Sequence, residues 1–157
     1  MPPDSAAVAA APDPFAEARL GPLRLRNRLV SDALVEYVTR PARGGAGMTT
    51  LAYCAVSSEG RTYRHQIWLR PEAVPGLRRL TDAVHAEGAA ACVQLGHAGW
   101  FANPRASGQP AVAPSRVFSP YGMGFPRAAG ADDLARLRRA YADGARLAVE
   151  SGFDCLE

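Results

Sequence analysis

The sequence contains no lysine. All 18 of its basic residues are arginine, set against 15 acidic ones. The formal charge of +3 is too small to mark a nucleic-acid binder, and the arginines are scattered rather than striped. Alanine makes up close to a fifth of the chain, so the arginine usage reads as the coding bias of a GC-rich genome. Long hydrophobic runs are also missing. No stretch nears the 18 or so apolar residues of a membrane-spanning helix. Cysteine is scarce: Cys54, Cys92 and Cys155 lie in apolar stretches without CxxC spacing. That pattern speaks against a metal site and suits buried thiols in a reducing compartment, so a cytoplasmic location is expected. Neither common phosphate loop is present, since no GxGxxG follows the first strand and no GxxxxGK[ST] occurs. Met1 to Pro14 lacks a basic leader region and is rich in Ala and Pro, so residues 1–14 are expected to form a flexible arm.

What remains is an ordinary globular composition, 48% hydrophobic and 21% charged. The ordered part is expected to begin at Phe15. Leu23 to Val30 alternates apolar and polar residues, which is a strand signal. Ser31-Asp32 offers a helix cap, followed by Ala33, Leu34, Tyr37 and Val38 at helical spacing, and Gly44-Gly45 ends that helix. Met48 to Val56 and Ala89 to Leu95 read as buried strands. Ser57 to Arg70 reads as loop and Pro71 to Glu87 as helix. Gly96 to Gly130 has no periodicity and is rich in Gly, Pro, Ser and aromatics, the mark of a binding loop or lid. Asp132-Asp133 is expected to cap a long helix that buries Leu134, Leu137, Tyr141, Ala145 and Ala148, and Phe153 to Glu157 opens a fourth strand. Strands that alternate with helices, and are apolar on both faces, predict a parallel sheet in an α/β fold. Spacing alone does not separate an open sheet from a barrel.

Two features stand out. The last residues, Cys155-Leu156-Glu157, fall inside a strand. Strand one also runs into helix one almost without a loop, although βα loops commonly need about two to six residues.

Five segments, in order, resemble the flavin-dependent old yellow enzyme family. They are Pro22-Leu23-Arg24-Leu25-Arg26-Asn27-Arg28-Leu29-Val30, Ala42-Arg43-Gly44-Gly45-Ala46-Gly47-Met48, Val93-Gln94-Leu95-Gly96-His97-Ala98-Gly99, Ala113-Pro114-Ser115 and Glu150-Ser151-Gly152-Phe153-Asp154-Cys155-Leu156-Glu157. Each is weak alone; their order and spacing carry the resemblance. The branch of NADH:flavin oxidoreductases and 2,4-dienoyl-CoA reductases is most similar. The resemblance implies a (β/α)8 TIM barrel that holds FMN at the C-terminal mouth of its strands. Residues 15–157 then correspond to the N-terminal part of that barrel, a partial barrel of three βα units plus the start of strand four. It also implies a deletion of about a dozen residues after strand one, where the family has a flavin-contacting loop.

The chemistry implied is hydride transfer from NADH or NADPH through FMN to an activated alkene or enoyl thioester, without nucleic acid or membrane as partner. Gln94 matches the glutamine that meets the flavin pyrimidine edge, since a side-chain amide both donates and accepts. A polar residue satisfied at a strand end is the plain alternative. Tyr53 occupies the strand-two position where the family brings backbone, usually of a small residue, against the flavin. It either turns away and leaves its backbone there or crowds the ring. His97 reads as a packing, hydrogen-bonded residue at the barrel mouth more readily than as a catalytic acid. His65 and His85 read as loop and helix-surface residues. Trp100, Phe101, Phe118, Tyr121 and Phe125 either line an apolar pocket or seal a loop. Arg61, Arg64 and Arg70 read as a solvated loop, with phosphate recognition the minority reading. The family's substrate-orienting His/Asn or His/His pair follows strand four, so no catalytic residue is expected within this chain.

The alternative to an FMN-dependent oxidoreductase is a non-catalytic partial-barrel remnant that binds no flavin. A partial barrel would expose strand edges and inner faces. At roughly 25 cal/mol per Å², several hundred uncovered Å² would erase a margin of about 5–15 kcal/mol. The isolated chain is therefore expected to be oligomeric or molten, and a sharp monomeric peak in size-exclusion chromatography with cooperative melting would count against this.

Overall fold

A computed structural model describes residues 18–20, 23–25 and 32–157. The arm expected at 1–14, the end of the first expected strand, the Ser31 cap and the site of the deletion lie outside the described residues. Strands β1 (Ala18–Leu20) and β2 (Leu23–Leu25) pair antiparallel, with Ala18 opposite Leu25. The alternating run from Leu23 thus begins as the return arm of a hairpin, which its pattern alone does not distinguish from a lone strand.

Helix α1 (Asp32–Arg43) leads to strand β3 (Met48–Ala55), helix α2 (Val74–Ala86) and strand β4 (Ala90–Gly96). A long excursion contains the short helix α3 (Pro104–Ser107) and the parallel pair β5 (Val112–Ala113) and β6 (Arg127–Ala128). Helix α4 (Ala131–Glu150) and strand β7 (Cys155–Leu156) follow. β3, β4 and β7 form a parallel sheet with β4 in the middle.

The pleat sorts the sheet's residues. Leu51, Ala91 and Val93 belong to one core with Val38 and Ala42 of α1, Leu77, Leu80 and Val84 of α2, and Leu147 and Ala148 of α4. Three helices therefore cover one face. Thr50, Cys92 and Gln94 alternate with these core residues and point to the other face. A bulge between Leu51 and Cys54 turns Cys54 into the core as well.

Two helices present different faces from those expected. Tyr37 is 76% exposed, because α1 turns Val38, Thr39 and Ala42 inward. In α4, Leu134 is 62% and Tyr141 39% exposed, and burial is confined to Gly144, Leu147 and Ala148. Gly144 permits that approach: a Cβ there would lie 3.2 Å from Val56 Cγ1. The cap differs too. Gly130 is the N-cap, and Asp133 sits in the first turn, where its Oδ2 accepts the Gly130 N–H at 2.9 Å. Gly152, at φ +87°, ends the helix in the left-handed conformation that glycine adopts without strain. No described helix is long and apolar enough to cross a membrane.

These faces make a paired prediction. Leu80→Ala, at a site 1% exposed, is expected to lose about 2–5 kcal/mol. Tyr37→Ala is expected to stay within about 0.5 kcal/mol of the parent. Urea denaturation of both variants checks this, and equal losses would contradict the assignment of the α1 face.

Candidate functional site

β3 and β4 run out at the same edge of the sheet, where Ala55 stands opposite Gly96. In parallel α/β folds this C-terminal edge is where ligands meet the protein, because the loops that leave the strands converge there.

Gln94 lies half-buried two residues before the end of β4. Its Nε2 donates to Glu157 Oε1 at 3.0 Å, which orients the amide across the sheet toward the β7 side. An oriented amide keeps one further donor and an acceptor for a ligand edge. The Tyr53 ring lies against Gly96, the last residue of β4. A Cβ added to Gly96 would fall 2.3 Å from the Tyr53 Cδ2 atom, so the ring occupies the space above that glycine. The Tyr53 hydroxyl donates to the Gly60 carbonyl at 3.1 Å, and its own carbonyl accepts from Gln66 Nε2 at 3.2 Å. Beside it, an open-sided cavity of about 250 Å³ is lined by Ala52, Tyr53, Cys54, Tyr63 and His65, among others. Cys54 is neutral there, its thiol pushed up to about 12 by burial.

The loop after β3 holds a charged cluster that the sequence reading passes over. Glu59 and His97 both have side chains only 7% exposed, with His97 Nε2 3.8 Å from Glu59 Oε1. Arg136, from α4, donates to the same Glu59 oxygen. His97 Nδ1 accepts the Gly99 N–H at 3.0 Å, while its Nε2 is buried and unpartnered, as is Ser57 Oγ. The His97 ring packs on Gly60, where a Cβ would come within 2.5 Å of it. Burial lowers the His97 pKa, more than the Glu59 carboxylate raises it. Burial also pushes Glu59 up, but its own backbone N–H and Arg136 together hold it below the usual carboxylate range. His97 is thus a packed, hydrogen-bonded residue of the mouth. Glu59 carries one local signal: it is an acid three residues beyond a continuous strand pattern that ends at Val56. Arg136 carries none, because it lies 77 residues away in the chain.

The remaining candidates separate. Arg61 braces its own loop by donating to the Ser58 and Arg64 carbonyls at 3.0 Å, and Arg61 and Arg70 both lie over Trp68, at 5.7 and 5.2 Å. His85 is more than a surface residue, since its Nε2 lies 2.7 Å from Asp154 Oδ2 and ties α2 to the approach to β7. Trp100 donates to the Val117 and Phe118 carbonyls and packs edge-on against Phe101 and Tyr121. Phe118 and Phe125 pair separately. These aromatics fasten the excursion to itself and leave Phe101, Phe118, Tyr121 and Phe125 exposed. Among the described residues no group of His, Cys, Asp and Glu could hold a metal ion.

Comparison with known proteins gives a consistent picture. Residues 21–157 match the sequence profile of the NADH:flavin oxidoreductase / NADH oxidase family. The chain is 46% identical over 164 residues to the 4,4'-dithiodibutanoate disulfide reductase of Rhodococcus erythropolis, covering 96% of this chain and 41% of that protein. That alignment is longer than this chain, so the relative carries residues that this chain lacks. It is 36% identical to a metal reductase of Desulforamulus reducens, over 91% of this chain and 24% of that protein. Among solved structures it superposes on the old yellow enzyme homologue of Zymomonas mobilis with a TM-score of 0.73 and 26% identity, over 92% of this chain and 47% of that one. Morphinone reductase shares the fold, with a TM-score of 0.68 at 24% identity over 91% of this chain and 46% of that one. The chain spans less than half the length of each of these proteins.

The mouth cluster sets a pH dependence. His97 has a folded pKa below the ordinary 6.5, so its contribution to stability is present above pH 6.5 and is lost as pH falls through the folded value. Glu59, held below its ordinary 4.5, adds a second loss of the same sign at lower pH. The urea midpoint is expected to fall between pH 7.5 and 5.5 in the parent and to fall less in His97→Gln. An equal fall in both would contradict this placement of His97.

Proposed function

The chain belongs to the NADH:flavin oxidoreductase / NADH oxidase family, and from that premise we propose that the protein is an FMN-dependent NAD(P)H oxidoreductase acting on a small molecule. The observation that carries the reading is Gln94, an amide oriented by Glu157 at the C-terminal end of the central parallel strand. The residues present fit the group. Gln94 offers paired donor and acceptor atoms to a heterocycle edge. In this proposal Gln94 holds the pyrimidine edge of FMN, Tyr53 contributes backbone, and the Glu59–His97–Arg136 cluster keeps the two loops beside them in place. The chemistry that bound FMN supplies is hydride transfer from NADH or NADPH to an acceptor.

The proposed acceptor is an activated alkene or enoyl thioester. A second reading, a small disulfide as acceptor, is supported by the 46% identity to the disulfide reductase. The three cysteines, none in a disulfide, suit a reducing compartment, and the proposal places the protein in the cytoplasm.

Titration of the chain with FMN, followed by flavin fluorescence, tests the reading. Saturable quenching is expected. Loss of two net hydrogen bonds in Gln94→Ala is expected to weaken the Kd by about ten- to a hundred-fold. A folded chain that binds no FMN would overturn the proposal and leave a non-catalytic remnant of the family.

A further inference from the structure

Cys92 and Cys155 stand directly opposite each other on the neighbouring parallel strands β4 and β7. Residues so paired project to the same face of a sheet, and adjacent strands lie about 4.8 Å apart. A disulfide spans Cα separations of about 4.4–6.8 Å, so this register lies within bridging range. Both residues are free thiols. Their exposure differs sharply: Cys92 is 2% exposed, whereas Cys155 is open to solvent. Thr50 stands opposite Cys92 on β3, and burial, followed by the neighbouring Cys155 thiol, raises the Cys92 pKa. One pleat further along the same face comes the Gln94–Glu157 pair. The third cysteine is not part of this arrangement, because Cys54 packs among the helices on the opposite face.

We propose that Cys92 and Cys155 form a reactive dithiol that reduces small organic disulfides by exchange, with Cys155 attacking and Cys92 resolving. The solvent-exposed Cys155, as thiolate, attacks one sulfur of the substrate disulfide R–S–S–R. A Cys155–S–S–R bond forms and the other half leaves as R–S⁻. Cys92 then passes its proton to the R–S⁻ released first and attacks the Cys155 sulfur, which expels the second R–S⁻ and forms the Cys92–Cys155 bond. The substrate disulfide is reduced to two thiols, and the protein dithiol is oxidised to one disulfide. Attack needs an accessible sulfur, which the exposed Cys155 provides, and resolution needs a second sulfur held alongside, which the strand register provides. The inference goes beyond the flavin reading and does not depend on it, since no cofactor enters the exchange.

Incubation of the reduced chain with dithiobis(nitrobenzoate), followed by mass mapping under non-reducing conditions, tests this. The expected result is release of two equivalents of nitrothiobenzoate per chain, no adduct left on the protein, and a linked peptide joining Cys92 to Cys155. Cys92→Ser is expected to release one equivalent and retain the mixed disulfide on Cys155. A stable mixed disulfide on Cys155 of the unaltered chain, or a Cys155 link between two chains, would overturn the proposal. The mapping on the unaltered chain decides without relying on the folding of a variant. Failure of FMN to bind would leave this result untouched, so the two readings fail separately.

Discussion

The site depends on one constraint, the parallel pairing of β4 on both of its edges. With β3 on one side and β7 on the other, β4 can neither shift register nor rotate without breaking two ladders and turning every side chain to the wrong face. Ala91 and Val93 are thereby committed to the helices, and Cys92 and Gln94 to the opposite face. The same register brings Ala55 level with Gly96, so the loops leaving β3 and β4 start side by side. Gln94, the Cys92–Cys155 pair and the Glu59–His97 cluster all take their positions from that alignment.

The mouth itself is held by electrostatics in a poorly solvated place. Burying a carboxylate costs several kcal/mol unless partners replace its water. Glu59 meets that requirement through backbone and Arg136, and Arg136 also reaches Asp133 at 3.5 Å. Helix α4 is therefore tied to the β3 loop at its N-terminal half by charge and at its C-terminal half by the close approach at Gly144. The Gly60 carbonyl joins the parts further, accepting from the Tyr53 hydroxyl and from the Ala98 N–H. A mouth so cross-linked is rigid where a bound heterocycle needs fixed hydrogen-bond partners.

What was legible in the sequence follows from range. β3, β4 and α2 declare themselves through continuous apolar runs or a helical stripe, which are local properties. The motifs around Gln94 and the Gly44-Gly45 turn are local too, and they lead to the family that the profile match shows. The exposed sides of Tyr37, Leu134 and Tyr141 were not legible, because an apolar residue on the flank of a helix looks the same whether or not a neighbour covers it. The hairpin at β1 and β2 hides inside an alternation that suits one strand equally well. The Glu59–Arg136 bond and the Cys92–Cys155 pairing join residues 77 and 63 apart in the chain, so they appear only once the sheet is assembled.

Hydrogen–deuterium exchange of the chain with and without FMN tests the central claim most directly, because it locates binding as well as detecting it. The account predicts protection on adding FMN at the C-terminal end of β4, residues 94–96, and in the adjoining loop at 57–60. Protection confined to other segments, or none while the chain remains folded, would contradict it.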